Sequence, residues 1–282
     1  YIEAEPCRGY FVAQIEDLFA WEPERIREEE IPAREKEIFR YDFSPSGVDL
    51  KSFPYNAWRK LSKESLVADR AELFRLGNSQ GEWGLRKAIS SYLYQARGVS
   101  ATLEQIIVGA GNDYLLMLLC MILGSDYKVA MENPTYKQSY RVFSNLSYQV
   151  CTVNMDENGM LVSELKKSEA DIAFVMPSHH YPLGTVMPLK RRMELLKWAE
   201  EKPSRYIIED DYDSEFRYKG KPIPALQGYD RKEKVIYMGT FSKSIAPAIR
   251  VSYMVLPYSL LEGYHKRAEF LSSTVSRVDQ LI

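Results

Sequence analysis

Cysteine is scarce in this chain: three residues among 282 (Cys7, Cys120 and Cys151), with no CxxC pair. An odd number of widely separated cysteines is not typical of a disulfide framework or of a zinc ribbon. It favours a reducing compartment, so we expect a cytoplasmic protein. The cysteine content therefore excludes the small secreted domains that disulfides hold together.

Long apolar runs are also missing. The longest, at 114–123, has ten residues, which is about half of what a membrane-spanning helix requires. The sequence shows no signal-peptide pattern either. We therefore expect no membrane association.

Neither sign of charge is in excess. Lysine and arginine total 37 against 39 aspartates and glutamates, for a formal net charge of -2. This balance excludes a generally basic protein that coats nucleic acid. It leaves open DNA binding by a separate part of the same polypeptide.

The first forty residues differ in composition from the rest. Residues 1–13 favour extended structure, and residues 14–40 are crowded with Glu, Arg and Lys and interrupted by Pro23 and Pro32. We interpret 14–40 as a surface linker with one short helix, whose charges form a solvated face. From Tyr41 the composition is globular, and 45% hydrophobic side chains suffice for a sizeable core in one large or two smaller domains.

Apolar strands alternate with amphipathic helices in this globular part. The alternation predicts an α/β fold in which a mostly parallel sheet is covered by helices on both faces. Three of the predicted helices lie at 81–97, 134–144 and 189–201, and a fourth ends at Leu123. The predicted strands lie at 106–108, 127–131, 148–153, 172–176, 205–209, 235–238 and 251–256.

The first predicted strand is followed by Gly109, Ala110, Gly111 and Asn112 and then by a helix. Ligands of parallel α/β sheets lie at the carboxyl ends of the strands. Small residues let backbone N–H groups approach an anion there, and a helix N-terminus adds its positive dipole end. The segment therefore predicts a phosphate cup, with a simple tight turn as the alternative. It is neither a P-loop nor a GxGxxG motif, which disfavours ATP and NAD.

An acidic run, EDDYDSE at 209–215, follows the apolar strand residues Tyr206, Ile207 and Ile208. Five carboxylates in seven residues repel one another unless a cation relieves them. The run is a solvated loop, or it binds a divalent metal, although Phe216 stands where an EF-hand requires glycine. In a third interpretation, one carboxylate at the strand end faces the cationic ring nitrogen of a cofactor, with the neighbouring tyrosine beside it.

Lys243 ends the segment GTFSK at 239–243, directly after another strand. A charged lysine is costly to bury without a partner, whereas an imine of the same amine is not. The hydroxyls of Thr240 and Ser242 and the guanidinium of Arg250 can bind a phosphate dianion. A surface lysine beside a turn is the alternative.

Taken together, these strand ends carry the parts that pyridoxal 5'-phosphate (PLP) requires. The lysine forms a Schiff base. The acid keeps the pyridine nitrogen protonated, so that the ring acts as an electron sink. Tyr136, in the segment ENPTY at 132–136, follows a further strand and can cover the ring. The combination predicts a PLP site.

These segments resemble the fold-type-I aminotransferase superfamily and, more closely, the MocR-type transcriptional regulators of the GntR superfamily. The resemblance runs from about Tyr41 to the end of the chain, and CRGYFVA at 7–13 resembles the end of a GntR-type wing. It is carried by the strings VGAGNDYLL (108–116), ENPTY (132–136), PSHHYPLG (177–184), IIEDDYDSEFRY (207–218), IPALQ (223–227), VIYMGTFSK (235–243) and SYMVLP (252–257).

The resemblance implies a role for each matching residue. Lys243 is the lysine of the internal aldimine, Asp210 pairs with the pyridine nitrogen, Tyr212 hydrogen-bonds the ring O3', and Tyr136 stacks on the ring. His179 or its neighbour His180 lies near the ring edge. The two histidines have no third ligand at a suitable spacing, so we expect no metal site there. The implied phosphate ligands are Ala110, Gly111, Asn112, Thr240, Ser242 and Arg250.

The resemblance also implies a domain order and a function. Residues 1–13 end a winged-helix DNA-binding domain whose helices lie upstream, 14–40 form the linker, and 41–282 form a PLP-binding effector domain without the family's small C-terminal domain. An amino compound is sensed by aldimine exchange at Lys243, and the protein forms a homodimer.

One departure from the aminotransferase pattern distinguishes this interpretation from its rivals. Transaminases carry Asn-Pro-x-Gly where this chain has Tyr181, Pro182, Leu183 and Gly184, so the asparagine that contacts O3' is absent. This favours a regulator over the alternative, an active PLP-dependent aminotransferase of amino acids. A plain α/β domain that binds Mg²⁺ through the acidic run is a third hypothesis.

Overall fold

A computed structural model describes residues 2–12, 39–41, 51–66, 68–216 and 224–282. The chain divides into two units, Tyr1–Pro45 and Ser46–Ile282. In the first, β1 (Ile2–Glu5) and β2 (Gly9–Val12) form an antiparallel hairpin, which agrees with the extended structure predicted there. The predicted linker lies outside the described residues apart from 39–40, and the domain boundaries stay a prediction.

An eight-stranded mixed sheet forms the centre of the second unit, in the order β3-β10-β9-β8-β7-β4-β5-β6. The pairs β4–β5, β4–β7, β7–β8 and β8–β9 are parallel, whereas β10 is antiparallel to both β3 and β9. The strands are β3 (Ile106–Gly109), β4 (Lys128–Asn133), β5 (Gln149–Asp156), β6 (Gly159–Met160), β7 (Ile172–Val175), β8 (Tyr206–Asp211), β9 (Val235–Thr240) and β10 (Ser252–Val255).

Helices cover both faces of this sheet. The α-helices described in the second unit are α1 (Tyr55–Ser65), α2 (Trp83–Arg97), α3 (Asn112–Leu123), α4 (Lys137–Asn145), α5 (Val162–Lys167), α6 (Leu189–Glu200), α7 (Tyr258–Arg267) and α8 (Arg277–Leu281). Helices α3, α4 and α7 pack on one face, and α5 and α6 pack on the other, with α2 covering the end of that face at β3 and β10. The result is the three-layer α/β architecture that the sequence predicts.

Strand β8 shows how the sequence produces two hydrophobic layers. Successive side chains of a strand point to opposite faces of the sheet. Ile208 packs in the layer under α3, and its neighbour Ile207 packs in the layer under α6. A strand buried on both faces therefore reads as a continuous apolar run, and this is the pattern from which the central strands were predicted.

Helices α1, α5 and α7 were not predicted, and α4 begins later than predicted. Helix α4 begins at Lys137 rather than at residue 134, because the backbone of Tyr136 is extended (φ -72°, ψ 111°). Tyr136 therefore lies in the loop at the sheet edge. In α1, the only buried residue is Ser65. Within the described residues, no helix is both long and apolar enough to cross a membrane.

Candidate functional site

The carboxyl ends of the parallel strands meet at one edge of the sheet, and β10 begins at the same edge. The site residues selected from the sequence lie at this edge, in the last positions of β8 and β9, in the segments that follow β3, β4, β7, β8 and β9, or just before β10. The residues are Ala110, Gly111, Asn112, Tyr136, His179, Asp210, Tyr212, Thr240, Ser242, Lys243 and Arg250. The edge is thus the candidate functional site.

The acidic run is divided between the two faces of β8. Glu209 and Asp211 point to the face that α2 and α6 cover. Glu209 accepts hydrogen bonds from the backbone N–H groups of Leu226 (2.7 Å) and Gln227 (2.8 Å). The acidic run therefore begins as buried strand rather than as a solvated loop. Its carboxylates are divided between two faces and do not form a single cluster.

Asp210 points to the opposite face and is buried, with 6% of its surface exposed. Asn112, the first residue of α3, donates an amide hydrogen bond to Asp210 Oδ1 at 3.1 Å. Burial, as the largest cause, and the negative charges of Asp211, Asp213 and Asp113 together raise the pKa of Asp210 to about 7. A cationic group beside this carboxyl would relieve both effects.

The predicted phosphate cup lies at the start of α3. Arg250 Nη2 is 3.2 Å from the carbonyl oxygen of Ala110 and 3.5 Å from Asp113 Oδ2. Two predicted N–H donors already have acceptors: Ala110 donates to Thr274 Oγ1 (3.0 Å) and Gly111 to the Gly109 carbonyl (2.9 Å). The donors toward an anion are therefore the first-turn N–H groups of α3, which have no acceptor inside the helix, and the Arg250 guanidinium.

Ser242, which follows β9, is a further candidate ligand for the phosphate. Its hydroxyl is buried and has no hydrogen-bond partner. Its backbone N–H donates to Thr240 Oγ1 at 3.1 Å, and Ser252 Oγ lies 2.8 Å from the same Thr240 oxygen. A buried hydroxyl without a partner is costly, and a phosphate oxygen would satisfy it. The residues at this edge fit PLP on this observation.

Lys243 follows the same strand. The backbone N–H of Ile245 donates to the Phe241 carbonyl at 2.9 Å, and the N–H of Phe241 donates to the Val251 carbonyl at 2.9 Å. The second bond ties the start of this loop to the residue before β10. Lys243 lies inside the turn that the first bond closes, and it is half-buried.

Aromatic rings line the remaining part of the edge. The ring of His179 stacks on that of Tyr212, with centroids 6.3 Å apart and planes 14° apart. His179 Nδ1 lies 2.5 Å from Asp213 Oδ2. Tyr136 meets Tyr181 edge to face at 5.7 Å. Burial, as the largest cause, raises the pKa of both Tyr136 and Tyr212.

The two adjacent histidines have different environments. His180 is 2% exposed, and its Nε2 lies 3.4 Å from Glu132 Oε2 in the interior. Burial lowers the pKa of His180 and raises that of Glu132 to about 7. Of the two histidines, it is His179 that stacks on Tyr212. Among the described residues, no group of three or more His, Cys, Asp and Glu side chains is placed to hold a metal ion.

Several residues at this edge were missed by the sequence analysis. Asp211 pairs with Arg97, the last residue of α2. Arg97 also contacts Ser178, the residue before His179. Thr274 reaches the cup from the segment after α7. These residues are separated from their partners by more than 80 positions, and no local sequence signal identifies them.

Gly111 gives a prediction about the cup. Its φ is +97°, and an added Cβ would overlap the Arg250 guanidinium. We expect Gly111→Ala to lower the free energy of unfolding by about 1–3 kcal/mol, measured by urea denaturation. Gly84 in α2 is the control, since a Cβ there meets nothing within 4 Å. Gly84→Ala should be neutral or stabilising by up to about 1 kcal/mol. Equal effects of the two changes would contradict this geometry.

Comparison with known proteins places the chain in a family. The sequence profile of the family described as "Aminotransferase class I and II" matches residues 47–280. An uncharacterized HTH-type transcriptional regulator of Bacillus subtilis, YdeL, is 41% identical over 283 residues, covering 100% of this chain and 60% of the relative. The probable rhizopine catabolism regulatory protein MocR of Rhizobium meliloti is 32% identical over 80% of this chain and 46% of its own length.

Solved structures give the same result for the fold. Kynurenine aminotransferase of Pyrococcus horikoshii, solved with PMP, superposes with a TM-score of 0.72 at 26% identity, over 82% of this chain and 59% of that one. LysN of Thermus thermophilus, an α-aminoadipate aminotransferase solved with N-(5'-phosphopyridoxyl)-L-leucine, has a TM-score of 0.70 at 23% identity, over 81% of this chain and 59% of that one. The predicted fold class is confirmed.

The chain spans 60% of the length of the Bacillus subtilis regulator. The resemblance to the aminotransferase-like part of HTH-type regulators is confirmed by these relatives. The profile match covers most of the chain, and the sheet with its strand-end residues agrees with it. The chain therefore belongs to the aminotransferase class I and II family.

Proposed function

We propose that this chain is the PLP-binding, effector-sensing part of an HTH-type transcriptional regulator. The observation that carries the proposal is the buried Asp210 carboxyl at the end of β8, beside β9 and the loop that contains Lys243. A carboxyl without a cationic partner is unfavourable in such a place. A protonated pyridine nitrogen is the kind of partner that would stabilise it.

Each side chain then has a physical task toward the cofactor. PLP would supply an aldehyde that reacts with amines and a ring that withdraws electrons. The Lys243 amine would hold it covalently, and Asp210 would keep the ring nitrogen protonated. Tyr212 would donate to the ring O3', and Tyr136 would stack on the ring.

The phosphate would lie between α3 and the loop after β9. The first-turn N–H groups of α3, the Ser242 hydroxyl and the Arg250 guanidinium would hold it, since all three are groups that bind anions. Thr240 orients the Ser242 backbone through its 3.1 Å hydrogen bond. Thr274, which accepts from Ala110, would compete with the phosphate for that N–H group.

An effector with a primary amine would be sensed by exchange with the Lys243 amine at the bound cofactor. Such a compound shifts the protein between two states only by its differential affinity for them. The names of the relatives support a regulator, since two relatives that match over the whole chain are named HTH-type transcriptional regulators. Tyr181, at the position where transaminases carry asparagine, supports the same choice. We expect the DNA contact to be made by a winged helix upstream of residue 1, in a homodimer.

The experiment requires the whole gene product. Its affinity for DNA from its own promoter should change by at least about fivefold when PLP is present and an amino effector from a broad panel is added. Lys243→Ala should remove the response to the effector while the protein stays folded. Operator affinity that is indifferent to both PLP and every amine tested would contradict the regulatory function.

A working aminotransferase is the second candidate. It is favoured by the aromatic-amino-acid aminotransferase 1 of Thermococcus litoralis, which is 27% identical over 81% of this chain and 58% of its own length. In that case Lys243 would also act as the general acid and base that moves a proton between the two carbon atoms bonded to the transferred nitrogen. Repeated formation of keto acid by the whole protein would favour this function, and a single turnover or none would favour the regulator.

A further inference from the structure

Helix α2 ends in a buried arginine that no expected site role explains. Arg97 has a side chain that is 3% exposed, and it pairs with the Asp211 carboxylate, which is 1% exposed. Its Nε donates to Asp211 Oδ2 at 2.8 Å and its Nη2 to Asp211 Oδ1 at 3.1 Å. This two-pronged geometry fixes the direction of the carboxylate as well as its position.

The same guanidinium also reaches the next strand end. Arg97 Nη2 donates to Ser178 Oγ at 2.6 Å. Ser178 directly precedes His179, and Asp211 stands between Asp210 and Tyr212 in the chain. One side chain therefore holds the segments that follow β7 and β8, and each of these segments carries residues of the cofactor site.

Two tyrosines extend these contacts. The hydroxyl of Tyr237, on β9, donates to Asp211 Oδ2 at 2.5 Å. The hydroxyl of Tyr92, one turn before Arg97 on α2, donates to Glu215 Oε1 at 3.0 Å, and its ring lies 6.5 Å from that of Phe241. Phe241 is two residues before Lys243. The face of α2 that is turned to the sheet thus contacts the backs of three loops of the site.

A buried ion pair is weak evidence for stability, because removing both charges from water offsets most of their attraction. Its best-supported use is to select one arrangement among several. In this chain the arrangement in question is that of Asp210, Tyr212 and His179, because each is next in sequence to a residue that Arg97 contacts. Lysine could replace Arg97 only in part, since an ammonium keeps the charge but has no planar fork.

We propose that Arg97 is a positioning residue of the cofactor site, which holds the ends of β7 and β8 so that Asp210, Tyr212 and His179 face the PLP ring. The part of the inference that concerns the ring rests on the proposed function. The part that concerns the two segments rests on the contacts of Arg97 alone and is tested without cofactor.

Arg205 provides a matched control. It is 5% exposed and lies just before β8, at the opposite end of the strand from Asp210. Its Nη1 donates to the Trp198 carbonyl at 2.9 Å and pairs with Glu201 at 3.0 Å. Arg205→Met therefore removes a buried guanidinium of the same kind from the same strand, away from the site.

The first measurement is hydrogen–deuterium exchange of the cofactor-free protein. Arg97→Met should increase exchange by about tenfold or more in peptides that cover 177–181 and 211–216. Arg205→Met should increase exchange only near residues 198–206. If the two site segments exchange at the wild-type rate in Arg97→Met, the positioning role is wrong, whether or not PLP binds.

The second measurement follows the PLP-loaded protein by its induced circular dichroism and by the pH midpoint of its visible absorption. Arg97→Met should weaken PLP binding by about tenfold or more and shift the midpoint, whereas Arg205→Met should lower only the melting temperature. Arg97→Lys should rescue part of the loss. Ser178→Ala, which removes a single hydrogen bond, should give an intermediate effect and carries the test if Arg97→Met does not fold.

The outcomes separate the two proposals. A wild-type protein that takes up no PLP, with exchange altered as expected in Arg97→Met, contradicts the proposed function and leaves the positioning of the segments confirmed. A wild-type protein that binds PLP, with Arg97→Met and Ser178→Ala identical to it in affinity and midpoint, contradicts the positioning of the ring contacts.

Discussion

Lys243→Ala is expected to abolish covalent attachment of PLP. Borohydride reduction of the PLP-treated wild-type protein, followed by peptide mass mapping, should place a phosphopyridoxyl group on the peptide that contains Lys243. The variant should give no adduct on that peptide. The reason is chemical, since only an amine forms the imine that borohydride reduces. Lys243 is half-buried in the loop after β9, the strand that pairs with β8 at Asp210.

Lys137 is the matched control for this experiment. It lies at the same edge of the sheet, directly after Tyr136, but it is exposed at the start of α4. Lys137→Ala should leave the adduct on Lys243 unchanged. An adduct that persists in Lys243→Ala, or one that moves to Lys137, would show that the attachment follows exposure rather than the geometry of the site.

The sequence predicted the parts of this site that depend on strand ends. Asp210, Lys243 and Gly111 each come shortly after a run of apolar strand residues, and such runs are recognisable without a structure. Because parallel strands end at a common edge, the three segments could be placed together before any distance was known. The residue types alone then indicated PLP.

The distribution of the five acidic side chains could not be predicted in the same way. Alternation along β8 places Asp210 and Asp211 on opposite faces, but it does not say which face the site uses. That choice depends on Asn112 and Arg97, which lie 98 and 114 positions away in the chain. Pairings at such separations are set by the packing of α2 and α3 on the sheet, and the local sequence does not encode them.

The cup is a second case in which the residues were correct and their contacts were not foreseen. Glycine at residue 111 is required by its positive φ and by the Arg250 guanidinium. Yet the N–H groups of Ala110 and Gly111 have acceptors of their own. The sequence indicates that small residues are present, whereas the direction of each N–H depends on turn geometry that only the structure gives.

Asp210→Asn is expected to have opposite effects on the stability of the cofactor-free protein and on PLP binding. The pKa of Asp210 is about 7 in the folded chain and about 3.9 in an unfolded one. Between these values the folded state binds more protons, so the free energy of unfolding falls as the pH rises from about 4 to about 7 and is level above that. The full shift corresponds to a destabilisation on the order of 4 kcal/mol at neutral pH.

Asparagine is nearly isosteric and carries no charge, and its oxygen can still accept from Asn112. At about pH 8, urea denaturation of the cofactor-free protein should therefore show Asp210→Asn to be more stable than wild type by about 2–4 kcal/mol. The difference should vanish near pH 4. Some pH dependence will remain in the variant, because Glu132 and Glu209 also have pKa values raised by burial to about 7. The exposed Asp126 is the control, and Asp126→Asn should change stability by less than about 0.5 kcal/mol.

In the presence of PLP the order should reverse. A carboxylate at Asp210 stabilises a protonated ring nitrogen and an amide does not, so the variant should bind PLP at least about tenfold more weakly. The charge that destabilises the empty site is the one that binds the cofactor. A variant that is less stable than wild type at about pH 8, or that binds PLP with unchanged affinity, would contradict the assignment of Asp210 as the partner of the ring nitrogen.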